Sequence, residues 1–159
     1  ALQSKNTPSV IALSRQKLPY INPKFSEKNQ CENGAYIVKN ISHDNKVTLV
    51  ASGSEVELAL NVHEALKENN IVSKVVSMPC QELFDKQSDD FKTGILDNDS
   101  LIVTIEAGSV SSWKKYSGSK GISLGIDKFG ESAPYKRIYE HLNLSVEKIV
   151  LTIQEKLRK

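Results

Sequence analysis

The stretch Val47-Thr-Leu-Val-Ala-Ser-Gly-Ser-Glu-Val-Glu-Leu-Ala-Leu60 decides the fold. Its apolar run, typical of a buried strand, stops at Gly53, and a helical spacing of apolar residues begins at once. Ser54 and Glu57 have the spacing of a capping box, which predicts a helix that starts at Glu55. A buried strand that leads through a glycine turn into a helix is the unit of an open α/β sheet.

Similar patterns on both sides of this stretch predict a mostly parallel sheet. Its strands are apolar along their whole length, which is typical of strands covered on both faces. Residues 40–46 are too few for a helical crossover, so we expect the first two strands to pair antiparallel. Ser132 is the predicted cap of the next-to-last helix, with Pro134 in its first turn. The predicted strands are residues 35–39, 47–52, 74–78, 101–105 and 122–126, and the predicted helices are 55–68, 82–96, 111–116 and two more that close the chain.

The first 33 residues have a different composition from the rest. Residues 9–14 are apolar and predict a buried strand, whereas residues 19–33 are rich in Pro, Asn, Lys and Ser and predict a linker. We therefore expect residues 1–18 to be the tail of a preceding domain and residues 34–159 to form one domain of ordinary size. The absence of an initiator Met predicts a fragment or a processed product.

Composition argues against several classes of partner. The net charge is only +2 and Lys and Arg are scattered, so nucleic-acid binding is not favoured. No apolar run approaches the ~20 residues that cross a bilayer, so we expect no membrane association. Cys31 and Cys80 lack the spacing of a zinc site. They fit either one disulfide or two free thiols in a reducing compartment, and the second, simpler interpretation predicts the cytoplasm.

The carboxyl ends of the predicted strands are the expected place for a ligand, because open α/β sheets bind ligands there. The turn at Gly53 and Ser54 either binds an anion at the helix N-terminus or is only scaffolding. It lacks the further glycines and the lysine of the nucleotide-binding motifs. Glu106 is either a general base or a bonding partner for backbone N–H groups of a neighbouring turn. Asp127 is expected to brace the turn before Gly130.

Other residues with useful chemistry are isolated in the sequence. The histidines at positions 43, 63 and 141 have no Ser or Cys placed to form a recognisable triad. Trp113 and Phe129 are expected in the core or at an interface rather than as a stacking platform. Arg15 follows the first apolar run, and its planar guanidinium suits a phosphate. The alternative is an ordinary surface arginine before a linker.

Several motifs together resemble one enzyme family. The stretch Thr7-Pro-Ser-Val-Ile-Ala-Leu-Ser-Arg-Gln-Lys-Leu-Pro19 resembles the end of the pyrimidine-binding domain of transketolases. The family's later motifs follow in order: Gly34-Ala-Tyr-Ile-Val, Ala51-Ser-Gly-Ser-Glu-Val56, Val75-Val-Ser-Met-Pro79, Glu82-Leu-Phe84, Glu106-Ala-Gly108 and Gly125-Ile-Asp-Lys-Phe-Gly-Glu-Ser-Ala-Pro134. The β subunits of 2-oxo acid dehydrogenases and the deoxyxylulose phosphate synthases do not usually carry the first and last of these strings.

This resemblance implies a three-layer α/β/α C-terminal domain with a five-stranded mixed, mostly parallel sheet. It also implies that the chain is the C-terminal portion of a longer, homodimeric, thiamine diphosphate-dependent enzyme. Such enzymes use a divalent metal, Mg²⁺ or Ca²⁺, and transfer a two-carbon ketol unit from a ketose phosphate to an aldose phosphate in the pentose phosphate pathway. The family's metal ligands and catalytic residues belong to other domains, so the resemblance implies none in this chain.

One functional residue of the family has a counterpart here. Arg15 matches the arginine that binds the phosphate of the sugar substrate, and its implied task is to position that substrate. We expect the chain alone to be inactive, because the cofactor site lies in the domains that it lacks. The alternative hypothesis is a non-catalytic regulatory or assembly module that binds a small anion at Gly53 and Ser54.

Overall fold

A five-stranded mixed sheet forms the centre of the molecule. A computed structural model describes residues 5–14, 16–21, 29–42 and 44–158. The strands are β1 (Tyr36–Asn40), β2 (Val47–Ala51), β3 (Ser73–Ser77), β4 (Leu101–Ile105) and β5 (Ile122–Leu124). Their order is β1-β3-β2-β4-β5, in which β2 to β5 are parallel and β1 is antiparallel to β3. The predicted α/β class and mostly parallel sheet are confirmed.

The expected pairing of the first two strands is wrong. β1 runs beside β3, with Tyr36 opposite Ser77 and Asn40 opposite Lys74, and β2 lies between β3 and β4. Burial explains why β2 rather than β1 lies in the middle of the sheet. All five residues of β2 are buried, whereas none of the residues of β1 is. A strand buried along its whole length belongs in the middle of the sheet, and a partly exposed strand suits its edge.

In the described ranges, six α-helices and one short 3₁₀ helix surround the sheet. The 3₁₀ helix is Gln30–Asn33, and the α-helices are α1 (Glu55–Glu68), α2 (Gln81–Asp85), α3 (Asp89–Leu96), α4 (Lys114–Ser117), α5 (Tyr135–His141) and α6 (Val146–Leu157). The predicted helix over 55–68 is confirmed. The single helix predicted over 82–96 is wrong, because Ser88 is extended and its Oγ accepts the Phe91 N–H, which starts a new helix.

Two other predictions near the ends of the chain are also wrong. Ser132 does not cap α5, which begins after Pro134, because the fixed φ of proline places the turn into the helix there. Residues 9–14 form no strand within the described part of the chain. Val10, for example, is 96% exposed. An apolar run becomes a buried strand only where a sheet edge pairs with it.

The core consists of two layers of side chains, one on each face of the sheet. On one face α1 and α6 pack through residues such as Leu66 and Ile149. On the other face Phe84 and Trp113 pack against the sheet beside α2, α3 and α4. The expected core position of Trp113 is confirmed, whereas Phe129 is 98% exposed and only its predicted interface role stays open.

None of the helices described is long and apolar enough to cross a membrane.

Candidate functional site

A cleft opens at the carboxyl ends of the three central parallel strands. Its volume is about 400 Å³. Ser52 follows β2, Met78 and Cys80 follow β3, and Glu106 follows β4. These residues share one cleft because parallel strands place their carboxyl ends at the same edge of the sheet, and that edge is where the sequence predicts a ligand.

The glycine turn after β2 forms one wall of this region. Gly53 has φ of +51°, a left-handed conformation that L side chains rarely adopt. The turn closes on itself, because the Glu55 N–H donates to the Ser52 carbonyl at 3.1 Å and the Val56 N–H donates to the Gly53 carbonyl at 3.4 Å. Two of the helix N–H groups that an anion would use are therefore already engaged inside the turn.

The predicted capping box at Ser54 and Glu57 is wrong. Ser54 has helical backbone angles, φ −64° and ψ −28°, and its side chain makes no cap hydrogen bond. A capping serine needs an extended backbone to reach the N–H groups of the first turn. Ser54 instead donates its hydroxyl to the neighbouring Glu55 Oε1 at 2.7 Å.

Glu55 is a buried carboxylate at the start of α1, with 4% of its surface exposed. Besides Ser54, the hydroxyl of Tyr139 donates a short hydrogen bond to Glu55 Oε1. Burial and the hydrogen bond to Glu55 raise the pKa of Tyr139, so this phenol stays protonated and remains a donor. The contact ties α5 to the beginning of α1.

Glu106 is the second carboxylate of the site. Its Oε2 accepts a hydrogen bond from the Ser52 hydroxyl at 3.0 Å. Burial raises the pKa of Glu106, the hydrogen bond from Ser52 opposes that rise, and the nearby charge of Glu55 adds to it. Glu106 therefore bonds a side-chain hydroxyl rather than the backbone N–H groups that were one sequence interpretation. The general-base interpretation stays a prediction.

Two carboxylates on the inner side of the turn define what this region can bind. As carboxylates, Glu55 and Glu106 repel an anion, and each already accepts a hydroxyl hydrogen bond from within the domain. The charges beside Gly53 and Ser54 thus act against the anion site that is one sequence interpretation of this turn.

Asp127 has a structural contact that differs from the expected one. Its Oδ1 accepts from the Ser109 hydroxyl at 3.0 Å and from the Val110 N–H at 3.2 Å. It therefore braces residues 109–111, after β4, rather than the turn before Gly130. Hydrogen bonds of this kind satisfy backbone N–H groups in a loop, where no neighbouring strand is available to accept them.

The structure describes only some of the other predicted residues. Arg15 and His43 lie outside the described residues. The two chain neighbours of Arg15 are described: the Ser14 hydroxyl lies 3.9 Å from the position that a Cβ on Gly53 would take. Gln16 lines a cavity of about 250 Å³ together with Ser54 and Tyr139.

The two histidines that the structure describes lie in different parts of it. His63 is buried in α1 and its Nδ1 lies 2.8 Å from the Ser73 hydroxyl. His141 is exposed at the end of α5, with Nε2 3.4 Å from Glu131 Oε1. In the described part of the chain, no group of three or more His, Cys, Asp or Glu residues could hold a metal ion.

The Tyr139 hydroxyl is expected to stabilise the domain. Tyr139→Phe removes one donor from a buried carboxylate, so we expect the free energy of unfolding to fall by about 1–3 kcal/mol. Urea unfolding followed by circular dichroism measures this loss. Tyr135→Phe is the matched control, because Tyr135 is exposed on the same helix, and we expect a change within about 0.5 kcal/mol. Equal losses in both variants would contradict the assigned contact.

Comparison with known proteins agrees with the fold and its motifs. The family model described as the transketolase-like TK C-terminal domain matches residues 34–145. The chloroplastic transketolase of Spinacia oleracea is 42% identical over 153 residues, which are 94% of this chain and 20% of that protein. The transketolase of Sinorhizobium medicae is 38% identical over 160 residues, covering 100% of this chain and 23% of that protein.

A solved structure supports the same relationship. The transketolase from Campylobacter jejuni superposes with a TM-score of 0.77 and 36% identity, over 89% of this chain and 21% of that chain. This chain belongs to the transketolase family and corresponds to its C-terminal region. It spans about a fifth of the length of the curated relatives described above.

Proposed function

We propose that this chain is the C-terminal portion of a transketolase that moves a two-carbon ketol unit from a ketose phosphate to an aldose phosphate in the pentose phosphate pathway. The match to the family's C-terminal domain over residues 34–145 carries the proposal. The alignment of the whole chain with the Sinorhizobium medicae transketolase supports the same conclusion. Residues 1–18 are then the tail of a preceding domain, residues 19–33 a linker and residues 34–159 the C-terminal domain.

The cofactor and metal of the proposed reaction belong to the rest of the parent enzyme. Thiamine diphosphate, held with Mg²⁺ or Ca²⁺, supplies the carbanion chemistry when it is bound. The residues described in this chain do not fit the metal, since no set of ligand side chains converges among them. The chain alone is therefore proposed to be inactive.

The proposed contribution of this chain to the reaction is to position the substrate. Arg15 would bind the sugar phosphate, because its guanidinium forms two parallel hydrogen bonds to phosphate oxygens and stays charged at any useful pH. Support comes from the Ser14-Arg15-Gln16 stretch, which resembles the phosphate-binding motif of the family. A phosphate bound by Arg15 would fix the sugar so that the reacting carbon meets the cofactor.

Arg15→Ala in the complete parent enzyme is expected to lower kcat/KM selectively. We expect a loss for phosphorylated acceptors that corresponds to about 1.5–3 kcal/mol, the contribution of a hydrogen bond to a charged group. Unphosphorylated acceptors have no phosphate to lose, so their kcat/KM should hardly change. Steady-state ketol transfer with paired acceptors measures both values.

Lys17→Ala is the matched control for charge. Lys17 is exposed and lies two residues from Arg15, so the variant removes one positive charge from the same segment. We expect it to leave both acceptors nearly unaffected. Equal kcat/KM values in the wild type and in Arg15→Ala would contradict the phosphate role, and equal losses for both acceptor types would assign Arg15 to folding or docking.

The weaker alternative is a regulatory or assembly module that binds a small anion at Gly53 and Ser54. The positive φ of Gly53 and the start of α1 support it. The adjacent carboxylates Glu55 and Glu106 oppose it. Titration of the chain with inorganic phosphate separates the two proposals, because saturable binding that Gly53→Val abolishes would favour the module.

Partners and compartment complete the proposal. Sugar phosphates, the other domains of the parent enzyme and a second copy in a homodimer are the proposed partners. The proposed compartment is the cytoplasm, supported by Cys31 and Cys80, which are both free thiols. Several relatives are named chloroplastic transketolases, so family membership alone does not determine the compartment.

A further inference from the structure

The sequence contains one Asn-Gly pair, Asn33-Gly34. Asparagine followed by glycine is chemically labile, because glycine has no Cβ that would shield its backbone nitrogen from the asparagine side chain. That nitrogen can attack Cγ of Asn33 and close a five-membered succinimide ring, while the side-chain nitrogen leaves as ammonia with the proton of the Gly34 N–H. Water then opens the ring and leaves aspartate or isoaspartate at position 33. The chemistry of the pair therefore favours spontaneous deamidation of Asn33.

The structure protects the nitrogen that would attack. Asn33 is the last residue of the 3₁₀ helix Gln30–Asn33, and the Gly34 N–H donates to the Cys31 carbonyl at 3.0 Å. The attack requires a Gly34 nitrogen that has lost its proton, so this hydrogen bond must break before the reaction starts. A planar succinimide ring also needs an Asn33 ψ angle far from the value in a 3₁₀ helix. The end of this helix must therefore unwind first.

Contacts on the other side of Gly34 oppose this unwinding. The Gly34 carbonyl accepts the Cys80 N–H at 3.1 Å. Gly34 is buried, and a Cβ at this position would overlap the backbone of Cys80 and Phe84, so the main chain has no space to move here. Unwinding therefore requires that residues 30–34 separate from residues 80–84, a contact that we call the Gly34 junction.

Deamidation would also make the opening of the Gly34 junction irreversible. The product has a carboxylate in place of a neutral amide next to Glu32, and isoaspartate adds one methylene group to the main chain. A longer main chain shifts Gly34 relative to Cys80 in a contact that has no spare space. The modified segment therefore cannot form the same contact again.

We propose that Asn33 is a site of spontaneous deamidation and that the reaction occurs only after the Gly34 junction has opened. Water, which the ring-opening step consumes, is the one reactant besides the chain. The proposal uses only residues 30–34 and 80–84, so it does not depend on the proposed ketol transfer. Deamidation of Asn33 then records how often this junction opens, because each opening exposes the pair to the reaction.

Peptide mapping by mass spectrometry tests the site and its protection. The chain is kept at mildly alkaline pH in buffer and in guanidinium chloride, and the conversion of each asparagine is followed with time. In the denaturant Asn33 should convert faster than every other asparagine, because only Asn33 precedes a glycine. In buffer the Asn33 rate should be at least about tenfold lower, which corresponds to an opening free energy of ~1.4 kcal/mol.

Asn98 is the internal control for the effect of folding. It is exposed in the turn after α3, and the following N–H, that of Asp99, makes no backbone hydrogen bond among the described residues. The slower conversion of Asn98 should therefore change little between denaturant and buffer. An equal drop at Asn98 and Asn33 would assign the effect to the solution conditions and would contradict protection by the junction.

Hydrogen exchange of the Gly34 amide measures the opening independently. Exchange needs the hydrogen bond to Cys31 to break, whereas ring closure needs the helix to unwind as well. Folding should therefore slow the deamidation of Asn33 at least as much as it slows exchange of the Gly34 N–H. A smaller effect on deamidation would mean that the ring forms while the junction is closed.

A matched pair of variants changes the junction without changing the labile pair. Phe84→Leu removes a buried ring of α2 beside Gly34. It should speed Asn33 conversion in buffer about tenfold, the factor that corresponds to a loss of ~1.4 kcal/mol in the stability of the junction. Phe129→Leu makes the same change at an exposed ring and should leave the Asn33 rate as it is in the wild type.

Three further results would overturn the proposal. They are faster conversion of another asparagine in the denaturant, equal Asn33 rates in buffer and denaturant, and equal Asn33 rates in Phe84→Leu and Phe129→Leu. An Asn33 rate that folding lowers and that Phe84→Leu alone raises would support it.

Discussion

Gly34→Ala should strongly destabilise the domain, although it adds only one methyl group. A Cβ at position 34 would lie 2.2 Å from the Phe84 nitrogen and 2.4 Å from the Cys80 carbonyl oxygen. Both are backbone atoms, so neither can turn aside as a side chain would. Gly34 also has φ of +83°, a conformation that strains an alanine. We expect the free energy of unfolding to fall by more than about 3 kcal/mol.

Urea unfolding of Gly34→Ala and Gly94→Ala makes the comparison. Gly94 lies in α3 without a positive φ, and a Cβ at this position would have no heavy atom within 4 Å among the described residues. The same substitution there should raise stability by about 0.5–1 kcal/mol, because alanine favours the helix. If Gly34→Ala unfolds at the urea concentration of the wild type, the close approach of residue 34 to residues 80–84 is wrong.

Phe84→Ala is the second large expected effect. The Phe84 ring is fully buried and packs edge-on against Tyr116 and at a tilt against Phe91. Its removal leaves a cavity beneath α2, so we expect a loss of about 3–5 kcal/mol in the free energy of unfolding. Phe129→Ala makes the identical chemical change at a ring that is almost fully exposed, and it should stay within about 0.5 kcal/mol of the wild type.

The difference between the two phenylalanine variants is the informative quantity. A small loss in Phe84→Ala would mean that the layer below α2, α3 and α4 is not a packed core. A large loss in Phe129→Ala would mean that this ring is covered by protein in the molecule that was measured, as its predicted interface role requires. Thermal unfolding at two protein concentrations distinguishes a covering second copy from a covering loop, because only association depends on concentration.

The sequence predicted those features of the fold that depend on residues close together along the chain. The apolar run of β2, the turn at Gly53 and the periodicity of α1 follow one another directly along the chain, and the structure has them as predicted. The sequence also indicated the carboxyl ends of the strands as the place for a ligand, and the structure has a cleft at that edge of the sheet.

Contacts between distant segments could not be predicted in the same way. The partner of β1 depends on competition for the middle of the sheet, which no short window contains. Tyr139 lies 84 residues from the carboxylate of Glu55 that it contacts, and nothing in its helix indicates that partner. Ser54 and Glu57 have the spacing of a capping box, but Ser54 makes no capping hydrogen bond because its backbone is helical. The N–H groups of Glu55 and Val56 bond to carbonyls of the Gly53 turn instead.

The candidate site shows the same division. The sequence identified Glu106, but Ser52 as its hydrogen-bond donor depends on two strands lying side by side. The sequence shows that Glu55 follows the Gly53 turn, but it does not show that the Glu55 side chain is buried. The proposed phosphate role of Arg15 came from the family resemblance. The position of Arg15 in the sequence did not by itself distinguish a phosphate ligand from an ordinary surface arginine.

Ketol transfer by the isolated chain and by the complete parent enzyme is the most direct test of the central proposal. With thiamine diphosphate, a divalent metal and phosphorylated sugars supplied to both, product formation is measured under the same conditions. The proposal expects turnover by the parent enzyme and none by the isolated chain. Measurable turnover by the isolated chain, or no turnover by the parent enzyme, would contradict it.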